Sequence, residues 1–153
     1  MIRIKSTKLA DTRTCDFKNV TLKQLFENSL KHIEDVRVAM DFFISKMEES
    51  AKDHDHTKLS HIDLFHKDFV GGFETQDWYD MHKREERHHL EAPEGVREDV
   101  NLIDVMEYVC DCVMAGMGRS GEVRKLEIPD EVLKKALHNT ANLLKDQVEV
   151  VDE

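Results

Sequence analysis

The sequence has little of what breaks or staples a chain. It holds two prolines, six glycines and three cysteines in 153 residues. Cys15, Cys110 and Cys112 form no CxxC pair, and their odd number leaves no disulfide framework and no thiolate metal site. Cys110 and Cys112 are two apart, so on a helix they point to nearly opposite sides. A reducing, cytoplasmic setting is expected. No apolar run approaches the ~20 residues that span a bilayer. The opening MIRIKSTKLADTR lacks the apolar stretch of a signal peptide. Cations are also short: 22 Lys and Arg face 32 Asp and Glu, a net charge of −10. Phosphate backbones are held by clustered Lys and Arg, so no extended nucleic-acid surface is expected. A local cationic pocket remains compatible with that balance.

What is present is a helical pattern. The length suits one domain able to bury a core without staples. Residues 1–19 are polar and aperiodic, a short strand-like or irregular arm. Thr21 and Gln24 match a capping box. Leu22, Leu25, Phe26, Ile33, Val36, Met40, Phe43, Ile44 and Met47 then recur with helical period, and no Gly or Pro interrupts them before Asp53. Leu59–Phe69 reads as a second helix, ended by Gly71-Gly72. Trp78–Leu90 reads as a polar helix closed by Pro93 and Gly95. Asn101 caps a helix to about Met117, followed by a loop with Gly116, Gly118 and Gly121. Pro129 and Asp130 open a last helix to about Lys145. The expected fold is all-α, a single-domain bundle of five to six helices over residues 20–147, with 148–153 as a tail. The Leu/Val face of the last helix would pack within the domain or against another subunit, so a homo-oligomer is possible.

Histidine is concentrated. Seven of the nine lie between residues 54 and 89. Imidazole is the commonest metal ligand and titrates near neutral pH, although a lone surface histidine usually does neither job. The order is more specific than the count. His32 stands in HIEDV, His54-Asp55 in HDHTK with Lys58 three residues on, His82 next, His88-His89 in HHLE, and Asp111 in CDCVMA.

This series resembles the HD-domain superfamily of metal-dependent phosphohydrolases. It is most similar to a small HD-related family common in phage and bacterial genomes. The resemblance covers about residues 20–120 and implies an HD-like helical bundle. It implies His32, His54, Asp55 and Asp111 as ligands of a first metal, and His82, His88 or His89 as ligands of a second. It implies Lys58 as a phosphate contact. Imidazoles with carboxylates suit divalent Mn, Fe, Co, Ni or Zn, one or two ions. The implied function is attack of metal-activated water on a small phosphorylated substrate, a nucleotide first. Catalysis would fall to Asp55, Lys58 and Glu91, the last as a second-metal ligand, a general base or an exposed acid. Arg84, Arg87 and Arg119 are further phosphate candidates. Two other readings stay open: a di-iron HD-type oxygenase, and a non-catalytic metal-binding or protein-interaction module.

Geometry sets a condition. His32 and His54 are 22 residues apart, about 33 Å along an unbroken helix. A shared metal therefore requires the chain to turn back between about Ala39 and Lys46, and the resemblance favours that turn. The other candidates read as bystanders. His56 and His61 fit supporting or surface positions, His66 the surface, and His138 an ordinary amphipathic helix. Asp104, seven residues before Asp111, either orients an imidazole or favours the helix dipole.

Overall fold

The computed structural model describes residues 1–151; Asp152 and Glu153 of the expected tail lie outside the described residues. The fold is all-α with four short strands. In chain order the elements are β1 (Ile2–Lys5), α1 (Leu22–Asp53), α2 (His56–Ser60), α3 (Ile62–Val70), α4 (Asp77–Glu85), β2 (Glu91–Ala92), β3 (Gly95–Val96), α5 (Leu102–Ser120), α6 (Asp130–Lys145) and β4 (Val148–Val151). Two compact units are distinguished, one of Met1–Ser45 with the stretch from Asn142 onward, the other Lys46–Ala141.

In the first unit the arm and the tail are partners. β1 and β4 form a parallel pair, Ile2 opposite Val148 and Lys5 opposite Val151. The tail therefore becomes a strand, which the sequence does not announce because its pairing partner is nearly 150 residues away. The capping box at the start of α1 forms: Thr21 N–H donates to Gln24 Oε1 at 3.0 Å, and Gln24 N–H to Thr21 Oγ1 at 3.2 Å.

The turn expected between Ala39 and Lys46 does not exist. α1 runs unbroken for 32 residues. Nothing in that stretch can stop a helix, since it lacks Gly and Pro and keeps its apolar period throughout.

The second unit holds the core. Leu90, Val100, Val132 and Ala136 are buried, with Val96, Leu102, Val105, Tyr108 and Ile128 packed on them. Asn139 on α6 donates to the carbonyls of Glu98 and Val100 at 2.9 and 2.8 Å, and Thr140 Oγ1 accepts from Leu102 N–H at 2.8 Å. These bonds satisfy backbone that would otherwise be stranded at a loop and a helix start. α5 begins with Asn101 as cap: its Oδ1 accepts from Ile103 N–H at 2.8 Å, while Asp104 Oδ2 accepts from Asn101 N–H at 2.9 Å.

Two boundaries differ from the sequence reading. The helix expected over Trp78–Leu90 stops at Glu85, where Glu86 turns extended. Arg97 replaces the lost helical bonds there: its guanidinium donates to the carbonyls of Lys83, Arg84 and Glu86, a cation at a helix C-terminus. Conversely, α5 passes through Gly116 and Gly118 and ends at Gly121 (φ 74°). Gly116 is there for contact. A Cβ on it would come 2.5 Å from Glu122 O and 2.8 Å from Arg124 N as the chain returns over the helix.

Candidate metal centre

His54 and Asp55 sit in the sharp step from α1 to α2. Asp55 has φ 56°, the left-handed region, which Asp tolerates better than most side chains. That conformation lets two adjacent side chains face one point. Glu86 holds the step, accepting from Asp55 N–H at 3.1 Å, Thr57 N–H at 2.8 Å and Thr57 Oγ1–H at 2.6 Å. Glu86 and Thr57 are both buried.

α4 delivers His82 from a buried stack. Trp78 lies against Phe65 at 4.0 Å and against the His82 ring at 4.4 Å. Asp68 fixes the start of α4 by accepting from Trp78 N–H at 2.7 Å and Thr75 Oγ1–H at 2.8 Å. Burial opposes its ionisation, but the bonds from Thr75, Trp78 and Tyr79 hold it below the usual carboxylate range. The turn between α4 and β2 brings in His88 and His89, and α5 brings in Glu107 and Asp111.

The imidazoles are oriented by their far nitrogens. Glu107 Oε1 lies 2.8 Å from His54 Nδ1 and 3.1 Å from His88 Nδ1. Burial alone would raise the Glu107 pKa; hydrogen bonds from His88, Ser50 and His54 outweigh it and lower the value to about 2. An ionised carboxylate can only accept, so both Nδ1 atoms carry hydrogen. Thr57 Oγ1 donates to Glu86, so at 2.7 Å it accepts from His82 Nδ1. These tautomers are assigned from the bonding pattern. Burial depresses His82 to about 4, and burial with neighbouring His88 and His82 depresses His89 to about 3. Both rings are neutral at pH 7.

The consequence is an arrangement of unshared electron pairs. Nε2 of His54 is 3.4 Å from Asp55 Oδ2 and 3.8 Å from Asp111 Oδ1. Nε2 of His82 and of His88 are 3.5 and 3.7 Å from Asp55 Oδ1. That oxygen is buried and has no hydrogen-bond partner among the described residues. A buried carboxylate oxygen ringed by imidazole lone pairs is costly unless a cation compensates it. Two ligand atoms on one ion at ~2.1 Å and a tetrahedral angle stand about 3.4 Å apart, the lower end of the observed 3.4 to 3.8 Å. Two overlapping groups meet the proximity that one ion requires: His54, Asp55 and His88, and His82, His88 and His89. The buried His/Asp cluster can hold a metal ion.

The structure thus gathers His54, Asp55, His82, His88, His89 and Asp111. It removes His32: the unbroken α1 leaves 22 residues, about 33 Å of helix, between it and His54. Lys58, expected at a substrate phosphate, is hydrogen-bonded through Nζ to Asp55 Oδ2. This cation holds Asp55 ionised against the opposing effect of burial. Glu91 is exposed on β2 and lines a cleft of about 740 Å³ with His88, His89, Lys83 and Lys125.

Of the three arginines expected at phosphate, Arg84 and Arg87 are engaged elsewhere. Arg84 donates to Glu94 at 2.6 Å. Arg87 holds Asp104 in a two-bond fork at 2.7 and 2.9 Å and reaches Asp99 at 2.9 Å. Arg119 lies in the last turn of α5, not in a glycine loop, and eight residues, about 12 Å, from Asp111. Asp104 consequently serves Arg87 and the helix cap, not an imidazole. His56 lies 3.1 Å from Glu86, His61 contacts Ser60, and His66 and His138 are exposed.

Glu107, Glu86 and Thr57 were not singled out from the sequence. Glu107 had a usable signal: it falls four residues before Asp111, on the same face of α5.

No family model, no curated protein and no solved structure matches the chain.

Proposed function

We propose that the protein is a metal-dependent phosphohydrolase acting on a small phosphorylated molecule, a nucleotide in the first instance. One observation carries the reading: the partnerless Asp55 Oδ1 faced by the Nε2 atoms of His82 and His88, with His54 on the other oxygen. His54, Asp55 and Asp111 would hold one divalent transition ion, and His82, His88 and His89 offer ligands to a second; Mn, Fe, Co, Ni and Zn all suit this donor set. Such an ion, when bound, brings the pKa of water towards ~7 and offsets negative charge on a phosphoryl group.

The chain's own groups support the rest. Glu107 and Thr57 keep the three imidazoles in the ligating tautomer, an outer set of bonds that tunes metal affinity. Lys58 keeps Asp55 ionised and places a positive charge at the edge of the cluster. Lys83 and Lys125 line the cleft beside His88 and His89; paired with Asp80 and Glu127, they would exchange those carboxylates for a substrate phosphate. Glu91 opens into the same cleft and suits proton transfer.

The test is metal content by mass spectrometry, then phosphate release from a nucleotide panel after loading with Mn, Co, Ni, Fe or Zn. Bound metal near one or two equivalents and release abolished by Asp55→Asn are expected. A chain that takes up none of these ions would sink the metal reading. A loaded chain inert towards the whole panel would sink the hydrolase reading alone.

A further inference from the structure

α1 repeats its apolar residues every seven positions and leaves all of them but the half-buried Phe43 exposed. Phe26, Ile33 and Met40 recur at intervals of seven; Leu22, Val36 and Phe43 form the row between them, interrupted only by Ser29. This is the spacing of a helix seam that interlocks with another helix. Leu25, Leu30 and Ile44 broaden it. Yet no residue of the helix is buried, and Phe26 and Met40 are 66% and 56% exposed. Two flanking ion pairs close on α1 itself, Lys23 with Glu27 at 3.8 Å and Arg37 with Glu34 at 3.3 Å.

We propose that residues 22–44 of α1 are a self-association surface that packs against the same seam of a second copy of this chain. Interlocking side chains require a partner with the same seven-residue spacing, and an identical chain supplies it. The size also fits. The eight of these nine side chains that are exposed, Phe43 being half-buried, at on the order of 90 Å² each present roughly 700 Å², close to the ~800 Å² that each partner gives a stable interface. Monomeric proteins rarely leave so long an apolar stripe in water.

The full chain, analysed by sedimentation across micromolar concentrations, should show at least twice the chain mass. Ile33→Glu combined with Met40→Glu should shift it to monomer with an unchanged circular dichroism spectrum, because neither side chain belongs to a core. A monomeric wild type, or a variant that stays associated, overturns the proposal. So does a purified complex whose mass reveals a different chain on the helix. Hydrogen exchange of the wild type gives an independent readout if the variant misfolds. Amides within 22–44 should exchange more slowly as concentration rises, and exchange that ignores concentration overturns the proposal.

Discussion

Asp55 concentrates the unusual features of the molecule in one residue. Its backbone is left-handed, one carboxylate oxygen is partnerless, and three imidazoles and an ammonium surround it. Asparagine has nearly the same shape and also tolerates that backbone. Asp55→Asn should therefore leave the metal-free fold intact by circular dichroism while lowering the metal stoichiometry in equilibrium dialysis by the ion that His54, Asp55 and Asp111 would share. An unchanged stoichiometry and affinity would mean that Asp55 is no ligand. Glu107 gives a graded counterpart. Removing its charge frees His54 and His88 to turn without deleting a ligand, so Glu107→Gln should weaken metal binding about 10–100-fold, as outer-sphere changes do. Competition with a chelator of known affinity measures this, and an unchanged affinity would refute the orienting role.

At the scale of elements, the centre depends on how helices end. α1 ends in the step that faces His54 and Asp55 together, and α4 ends early enough for His88 and His89 to fold back. α5 carries Glu107 and Asp111 on one face, and it continues through Gly116 because the returning chain needs that space. Gly116→Ala should cost about 1–3 kcal/mol, the usual size of overpacking. The two atoms nearest that Cβ would be backbone atoms of Glu122 and Arg124, which cannot swing aside, with the Arg124 side chain next at 3.2 Å. Denaturant titration reads the loss. An unchanged midpoint would show that the segment after α5 is held less closely than the structure places it.

For the whole molecule, the cluster ties stability to pH. His82 and His89 have folded pKa values of about 4 and about 3, below the 6.5 of a free histidine. Stability from their neutral forms is fully present above pH 6.5 and is lost as pH falls towards 4 and 3. Glu107, lowered from 4.5 to about 2, adds a further loss across that lower window. For His82 alone the loss between pH 6.5 and 5 is on the order of 2 kcal/mol at ~1.4 kcal/mol per unit. Metal-free protein should thus melt several degrees lower at pH 5 than at pH 7, and a melting temperature flat across that range would contradict the neutral, buried imidazoles. Divalent metal at pH 7 should raise the melting temperature in proportion to the logarithm of its excess over Kd.

The sequence by itself determined much of this protein. Helical periodicity, caps at Thr21 and Asn101 and the scarcity of Gly and Pro gave the all-α class, because these are local properties of the chain. The ordered His54-Asp55, His82, His88-His89 and Asp111 named the residues that the fold brings together, because imidazoles and carboxylates are chemically conspicuous. Tertiary structure decided the rest. The uninterrupted α1 excluded His32, although the resemblance had favoured a turn. The partner of each nitrogen could not be read in advance, so Glu107, Glu86 and Thr57 went unseen and Arg87 was assigned to a ligand instead of Asp104. The arm was read as strand-like or irregular, but β4 and its pairing with β1 were missed because that pairing joins opposite ends of the chain. Spacing along a sequence reports which side chains share a face. Which faces meet, and which polar atoms are left without a partner, depends on contacts between residues far apart in the chain.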